Sequence, residues 1–533
     1  MPLFYPFRSL RVDSWSSEGP TIKVSGWMRN QDIHRISSRS ISLRIQPRDD
    51  LNSETSGVTA TLTKSSRLIV ALRLTRAKSK VESVFNTSHA PDVQPSYINA
   101  QGFLEAAIQI DNCLLVKGWS VNVENQLRIG GKVVPLTPGQ DELICVKRPD
   151  INSIFGTATN ELHGFDVLIE FDHHFNFMTS QVQLVRNGKV FQSIDIQKGP
   201  TEKLQIASQS LGNPNDHDSA EEYFRKITSK ILRRFQFIPL QDDDQFSVVN
   251  FQSGSSHQDP EISIVIPFYG HSEFMRLHFA TLGDLEEKER QKIEIIIVND
   301  DPSQDLYHLT ELNSRLFSVR AKLVTSRENF GFAGAVWGGA CASIGEVLIV
   351  QNSDCFVENV QAYKHLAARI KNERNIGSIA PLLVREDGAI DHLGMEKISV
   401  RGRSASFFKH IGAGFPQLDS QTETSVECRY MTGAFLAMRR ELFVNDLGGF
   451  PTFSFLGDFE DAALSELIHA LGYKQVVDRS FKAVHMTRTS FERLDLTFRE
   501  RLSWYNATQF QSSQENRAAY EISADANSHK EIK

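Results

Sequence analysis

Ile262-Ser-Ile-Val-Ile-Pro267 is a short apolar run rich in β-branched residues. It is followed by Ile293–Val298, Lys322–Thr325, Val347–Val350 and Ile376–Leu383, with helical stretches in between. Runs of this length and composition predict strands buried on both faces, in a mostly parallel sheet covered by helices. In that architecture ligands sit beyond the carboxyl ends of the strands. The chemistry of this chain is therefore expected in the residues that end each run.

The residues before Pro260 follow a different pattern. From residue 1 to about 200, alternating runs such as Thr21–Trp27, Ser40–Ile45 and Arg67–Leu72 are separated by polar turns, as in all-β structure. Val24-Ser-Gly-Trp27 recurs as Val116-Lys-Gly-Trp119, 92 residues on (119 − 27), the period of two β-sandwich-like modules. Asn187-Gly188 marks a hairpin in the second. The expected organisation is a module over 1–95, a second over 96–200, a linker with one amphipathic helix over 201–260, an α/β Rossmann-like catalytic domain over 261–490 and a helical or flexible tail over 491–533. The modules are expected to fold alone and supply no catalytic group, so that a chain starting near Ser247 would keep activity.

The linker helix opens with a capping box, Ser219-Ala-Glu-Glu222, and places Tyr223, Phe224, Ile227, Ile231, Leu232 and Phe235 on one face. Its other face carries Arg225, Lys226, Lys230, Arg233 and Arg234. Such a helix can lie on an anionic membrane or dock two domains, and docking carries more weight.

Composition narrows the class of function. The 533 residues hold 58 Lys+Arg against 65 Asp+Glu, a net charge of −7, which is the wrong sign for a nucleic-acid partner. No apolar run approaches the ~18–20 residues of a membrane span, and Met1–Arg8 does not have the layout of a signal peptide. The five cysteines are odd in number and form no Cys-x-x-Cys, as expected of reduced thiols. The expected setting is cytoplasmic, with a peripheral seat at the inner face of the membrane left open by the basic helix.

The strand ends carry the candidate site. Pro267-Phe268-Tyr269 ends the first run, and Asn299-Asp300-Asp301-Pro-Ser303 ends the second. Carboxylates beside an aromatic turn can accept hydrogen bonds from a base imide and a ribose hydroxyl; capping the next helix is the plainer role for Asp301 or Ser303. Asn329-Phe-Gly-Phe-Ala-Gly-Ala335 has the small residues that let a helix N-terminus approach a diphosphate, or that merely pack tightly. Gln351-Asn352-Ser353-Asp354 sets an acid directly after a buried strand, where a divalent cation or an outward turn would accommodate it. Glu460-Asp461 starts a helix, as caps or as a general base, and His485 ends a short strand as a ligand candidate.

The order of Ile262–Tyr269, Val298–Ser303, Asn329–Ala335, Asn352-Ser-Asp354, Asp387-Gly-Ala-Ile-Asp-His-Leu-Gly394, Met431–Ala434, Gly448-Gly-Phe450, Glu460-Asp461 and His485 resembles the family 2 glycosyltransferases, in particular the bacterial O-antigen and polysaccharide branch. The resemblance covers about 261–490 and implies a GT-A fold and inverting transfer of a sugar. The donor would be a nucleoside-diphosphate-sugar (UDP or dTDP), and the acceptor a glycan or lipid-linked glycan. Carried over by position, Asp301 with Asp300 would read the base and Pro267, Phe268 and Tyr269 would wall its pocket. Asn329, Gly331, Asn352 and Ser353 would line the donor site. Asp354 and His485 would hold Mn²⁺ or Mg²⁺, and Asp461 would be the catalytic base. Two positions depart from the family pattern: Asn352 replaces the first acid of Asp-x-Asp, and Ala463 replaces an acid common two residues after the base.

Two other functions compete. A degenerate transferase fold could serve as a carbohydrate-binding scaffold, a reading that Asn352 and Ala463 favour and that Asp354, Asp461 and His485 oppose. A sugar-nucleotide pyrophosphorylase would need a Gly-rich basic loop after the first strand, and Phe268-Tyr-Gly-His-Ser-Glu273 is not one.

Overall fold

The structure, a computed structural model, describes the backbone of residues 11–18, 21–29, 41–46 and 55–63, and then residues 101–528. Within the latter span, 139–142, 147, 149–150, 153–161, 173–174, 178–179, 212–216, 239–244, 252–258, 402, 417–423 and 487–495 are not described. The run Arg67–Leu72, expected as a strand, lies outside the described residues. The chain divides into two compact units, Met1–Gly102 and Phe103–Lys533.

In the first unit Arg11–Glu18, Thr21–Arg29, Thr55–Thr63 and Ile41–Gln46 pair antiparallel in that order across one sheet. In the second unit the β module has two sheets. One contains Gly102–Ile110, Cys113–Ser120, Gly164–Glu170 and Leu143–Val146; the other contains Lys189–Asp195, Gln181–Arg186, Gln126–Ile129 and Lys132–Pro135. The Gly-Trp echo occupies matching places. Trp27 stands opposite Gly57 and Trp119 opposite Gly164, each on the next antiparallel strand. Gly118 has no room for a side chain, because a Cβ there would lie 2.3 Å from the Phe103 carbonyl oxygen. Asn187 and Gly188 both take positive φ, 49° and 78°, as the favoured two-residue hairpin requires.

The large α/β sheet and the hairpin beside it are built from β1 (Phe246–Phe251), β2 (Ile262–Phe268), β3 (Ile293–Asn299), β4 (Arg320–Ser326), β5 (Val347–Gln351), β6 (Cys355–Val357), β7 (Ile376–Val384), β8 (Ile390–His392), β9 (Met395–Ser399), β10 (Ser406–His410), β11 (Ser425–Cys428), β12 (Phe435–Arg439) and β13 (Lys474–His485). The sheet order is β1-β4-β3-β2-β5-β12-β7-β13-β6, while β9 and β10 form a separate hairpin. The four strands β4-β3-β2-β5 are parallel, and β12 enters antiparallel between β5 and β7. Strands β2, β3 and β5 are buried almost end to end, with apolar cores on both faces. That double burial is why they are continuous β-branched runs and not alternating ones. Three helices matter for the site: α1 (Gly331–Ala342), α2 (Glu460–Ala470) and α3 (Leu496–Ser528).

The stretch 201–260 is built into the fold and is not a loose connector. Its strand β1 pairs with β4 at the sheet edge, so the catalytic sheet begins before residue 261 and a cut near Ser247 falls inside it. The helical segment starts at His217, two residues ahead of the expected cap Ser219, and runs on through Leu232. Tyr223, Phe224, Ile227, Ile231 and Leu232 are buried in one core with Ile110, Cys113 and Leu115 of the β module and Trp504 and Tyr505 of α3. The basic face is partly used as well. Arg234 pairs with Asp111 at 3.1 Å and Glu170 at 3.2 Å, and the Lys226 ammonium donates to the Leu143 carbonyl. This is the docking geometry.

Candidate active site

On the donor side, strands β2 and β3 end side by side, with the Asp300 amide bonded to the Phe268 carbonyl. Phe268 cannot wall a pocket as expected: its ring is buried in the core against the His278 ring, because it belongs to the inward face of β2. Tyr269, one residue on, is 40% exposed and is the aromatic available there; Pro267 is half-buried. Asp300 is buried and accepts the Phe330 amide at 2.8 Å, holding the turn into α1. Burial pushes its carboxyl up to about 8, against the lowering effect of the Phe330 and Gly331 amides and Lys203. Asp301 closes an Asx turn, accepting Ser303 N–H and Oγ–H and the Gln304 amide. The following helix starts at Tyr307, whose amide is accepted by Asp305 at 2.9 Å, so neither Asp301 nor Ser303 caps it.

The small-residue turn is equally specific. Asn329 Oδ1 accepts the Gly331 amide at 2.8 Å, and Gly331 has φ +72°. A Cβ on Gly331 would stand 3.0 Å from Leu456 Cα, so both conformation and space require glycine. Lys203 reaches this turn from outside the sheet, donating to the Asn329 carbonyl at 2.8 Å and pairing with Glu328 at 2.7 Å.

At the end of β5, Asn352 bonds through its backbone to Ala434 and Cys355, and the Ser353 carbonyl accepts from buried His278. Asp354 is buried beside His485: Nε2 stands 3.6 Å from Asp354 Oδ1. The other ring nitrogen, Nδ1, lies 2.9 Å from Asp391 Oδ2. Burial alone would lower the imidazole's pKa, but the two carboxylates outweigh it and push it up to about 9. Among the described residues no group of three or more His, Cys, Asp or Glu side chains could hold a metal. Two donors suit Mg²⁺ or Mn²⁺ sites that are completed by substrate phosphates. Both donors of one ion must lie within about 5 Å of each other, and these two do.

Asp461 heads α2 with its carboxylate turned onto the loop between β11 and β12. Oδ2 accepts the Gly433 amide at 3.2 Å and Oδ1 the Ala462 amide at 2.7 Å. Burial raises its pKa; the two amides, His410 and Thr432 oppose the rise. The helix dipole favours the ionised carboxylate at this position, but burial outweighs it and raises the pKa. Glu460 points away into the core beside Ser454, 6% exposed. Burial and the neighbouring Asp461 and Asp458 charges push its pKa well above the usual carboxylate range.

Residues 263–444 match the family model described as glycosyl transferase family 2. Among solved structures, this chain is similar to GalNAc-T7 with UDP, GalNAc and Mn²⁺, at 21% identity over 44% of this chain and 45% of that one, TM-score 0.34. It is also similar to the S. aureus TarS 1-349 fragment in complex with UDP-GlcNAc (18% identity, 45% and 64% covered, TM-score 0.31). A third is the mannosyltransferase PcManGT from Pyrobaculum calidifontis in complex with GDP-Man and Mn²⁺ (16% identity, 59% and 76% covered, TM-score 0.32). The chain spans under half the length of GalNAc-T7. A comparison with curated proteins finds no match.

Three residues of this site had no assigned role in the sequence: Asp391, Lys203 and His410. Asp391 stood inside a segment noticed only for its resemblance. Lys203 and His410 carried no signal, because their places depend on long-range packing.

Proposed function

We propose that this chain is an inverting, metal-dependent glycosyltransferase of the O-antigen and polysaccharide type. It would move a sugar from a UDP- or dTDP-sugar to a glycan or lipid-linked glycan in surface polysaccharide synthesis. The observation that carries the reading is His485, pinned by Asp391 on one nitrogen and facing Asp354 with the other, 3.6 Å away. That is how a metal-binding imidazole is usually oriented.

Asp354 Oδ1 and His485 Nε2 are the groups that would hold Mn²⁺ or Mg²⁺. A bound cation supplies neutralisation of the charge that develops on the departing nucleoside diphosphate. Tyr269 and Asp301 stand at the strand ends to meet the base and ribose, with Pro267, Asn352 and Ser353 at the margin of the donor site. Asp300, Asn329 and Gly331 shape the helix N-terminus that faces the donor. Asp461 accepts the proton of the acceptor hydroxyl as its oxygen attacks C1 from the face opposite the leaving group. The Gly433 and Ala462 amides hold that carboxylate still, and burial raises its pKa, which makes it a stronger base than a solvent-exposed aspartate. A single displacement inverts the anomeric carbon and needs no enzyme nucleophile. The five cysteines, all free thiols, support a cytoplasmic setting. The partly paired basic helix leaves Arg225 and Arg233 exposed for peripheral contact with a membrane.

The test is a screen of UDP- and dTDP-sugars for nucleoside-diphosphate release with and without Mn²⁺. Metal-stimulated release from one donor is expected; no release from any of them would reject the reading.

A further inference from the structure

Leu456, Gly457, Asp458 and Phe459 all take positive φ, at 68°, 144°, 75° and 72°. Three of these four are not glycine, and non-glycine residues adopt this conformation only where the surroundings impose it. The run leads directly into Glu460 and Asp461. Helix α2 begins on it without a side-chain cap, its N-cap residue being left-handed Phe459. The aim of Asp461 is thus set by this loop.

What imposes the conformation is a residue 45 positions further on (506 − 461), on α3 and outside the matched family segment. Asn506 is fully buried. Its Oδ1 accepts the Phe455 amide at 2.9 Å, and its Nδ2 donates to the carbonyls of Phe455 at 3.2 Å and Gly457 at 2.5 Å. One side-chain amide therefore satisfies three backbone groups on the near side of the loop. The far side rests against the donor helix, where Leu456 backbone fills the space over Gly331.

We infer that Asn506 is a positioning residue, holding the left-handed loop that aims Asp461 at the acceptor hydroxyl and seats it against the N-terminus of α1. The inference rests on the reading of Asp461 as the base. It gives the C-terminal helix a part in turnover without contact with either substrate.

The test compares the full chain with Asn506→Ala and with Asn506→Ala/Asp458→Gly. Asp458 is exposed, and glycine adopts its conformation without steric cost. Two readouts are taken: amide hydrogen exchange over 455–461 in the ligand-free protein, and nucleoside-diphosphate release from the UDP- and dTDP-sugar panel. Asn506→Ala should exchange faster over 455–461, keep UDP binding and donor KM, and lose roughly 10- to 100-fold in kcat, the usual effect of a misplaced catalytic group. The added glycine should restore part of kcat. If Asn506→Ala does not fold, Asn506→Asp keeps the acceptor for the Phe455 amide and removes both donors. Unchanged exchange over 455–461, or faster exchange with unchanged kcat, would overturn the inference. Loss of kcat that follows melting temperature and is not recovered by the glycine would do the same. Absence of release by the parent chain would reject the proposed function instead, and the exchange data would still decide whether Asn506 holds the loop.

Discussion

His485 and Asp391 form a hydrogen-bonded pair at 2.9 Å, and this contact decides which imidazole nitrogen faces Asp354. The Asp391 carboxyl is buried, which would raise its pKa, but His485 more than compensates and holds it below the usual carboxylate range. An ionised Asp391 accepts Nδ1–H, so a cation that displaces the proton from Nε2 would be held by that nitrogen. Outer partners of this kind typically contribute 10- to 100-fold in metal affinity. Asp391→Asn should therefore weaken Mn²⁺ binding in the presence of UDP by roughly 10- to 100-fold. Titration calorimetry checks this, and equal affinity for the two proteins would show that the pair only packs.

Asp461 and Glu460 are adjacent but differ in surroundings. Asp461 is held by the Gly433 and Ala462 amides, whereas Glu460 is buried beside Ser454, with its pKa pushed well up by burial and the Asp461 and Asp458 charges. Asp461→Asn should retain UDP binding and lose roughly 10²–10⁴ in turnover, the usual share of a general base. Glu460→Gln keeps the shape and an acceptor for Ser454 in a buried place away from the Gly433 amide, and should lose far less. Steady-state kinetics on both variants distinguishes the two; comparable losses would mean that the pair acts as a structural unit.

Asp300 makes a prediction about pH. Its folded pKa, raised by burial to about 8, lies above the ~3.9 of an unfolded aspartate. The folded state therefore holds the proton more tightly through that window. The stability this contributes is complete below about pH 4 and is lost as pH rises toward 8. Asp300→Asn keeps an acceptor for the Phe330 amide but has no charge to bury. Its melting temperature should exceed the parent's near pH 8, with the difference closing as pH falls. Parallel melting curves across that range would show that Asp300 is ionised at little cost in the fold.

The parallel sheet was legible because β2, β3, β5 and β7 are buried almost end to end, and such strands are written as near-continuous apolar runs. Asp300, Asp301 and Asp354 stand just past the ends of β3 and β5, so their places in the fold follow from the same runs. Phe268 was misread because alternation along β2 turns it inward, and a run apolar on both faces gives no sign of which way its last ring points. The strand β1 has four exposed residues in six and lies among polar residues, so it looked like linker. Asn506 could not be found at all. Its function is to bond three backbone groups, and those leave no side-chain pattern.

The core that joins 217–232 to the second β module and α3 sets the last expectation. Phe224 is fully buried, edge-on to Trp504 at 5.6 Å and Tyr505 at 5.8 Å, and Phe455 belongs to the same cluster. Phe455 is also the residue whose amide and carbonyl are bonded to Asn506. A cavity here would therefore reach the loop ahead of Asp461 as well as lower stability. Replacing a buried Phe by Ala typically costs about 3–5 kcal/mol. Phe224→Ala should show a loss of that order in urea unfolding, with turnover reduced at temperatures where the protein is still folded. A chain beginning near Ser247 removes that whole side of the core and leaves Trp504, Tyr505 and Phe455 bare, so it should aggregate or bind a hydrophobic dye. A monomeric, dye-negative and active product from such a truncation would show that the catalytic domain folds independently of the residues before it.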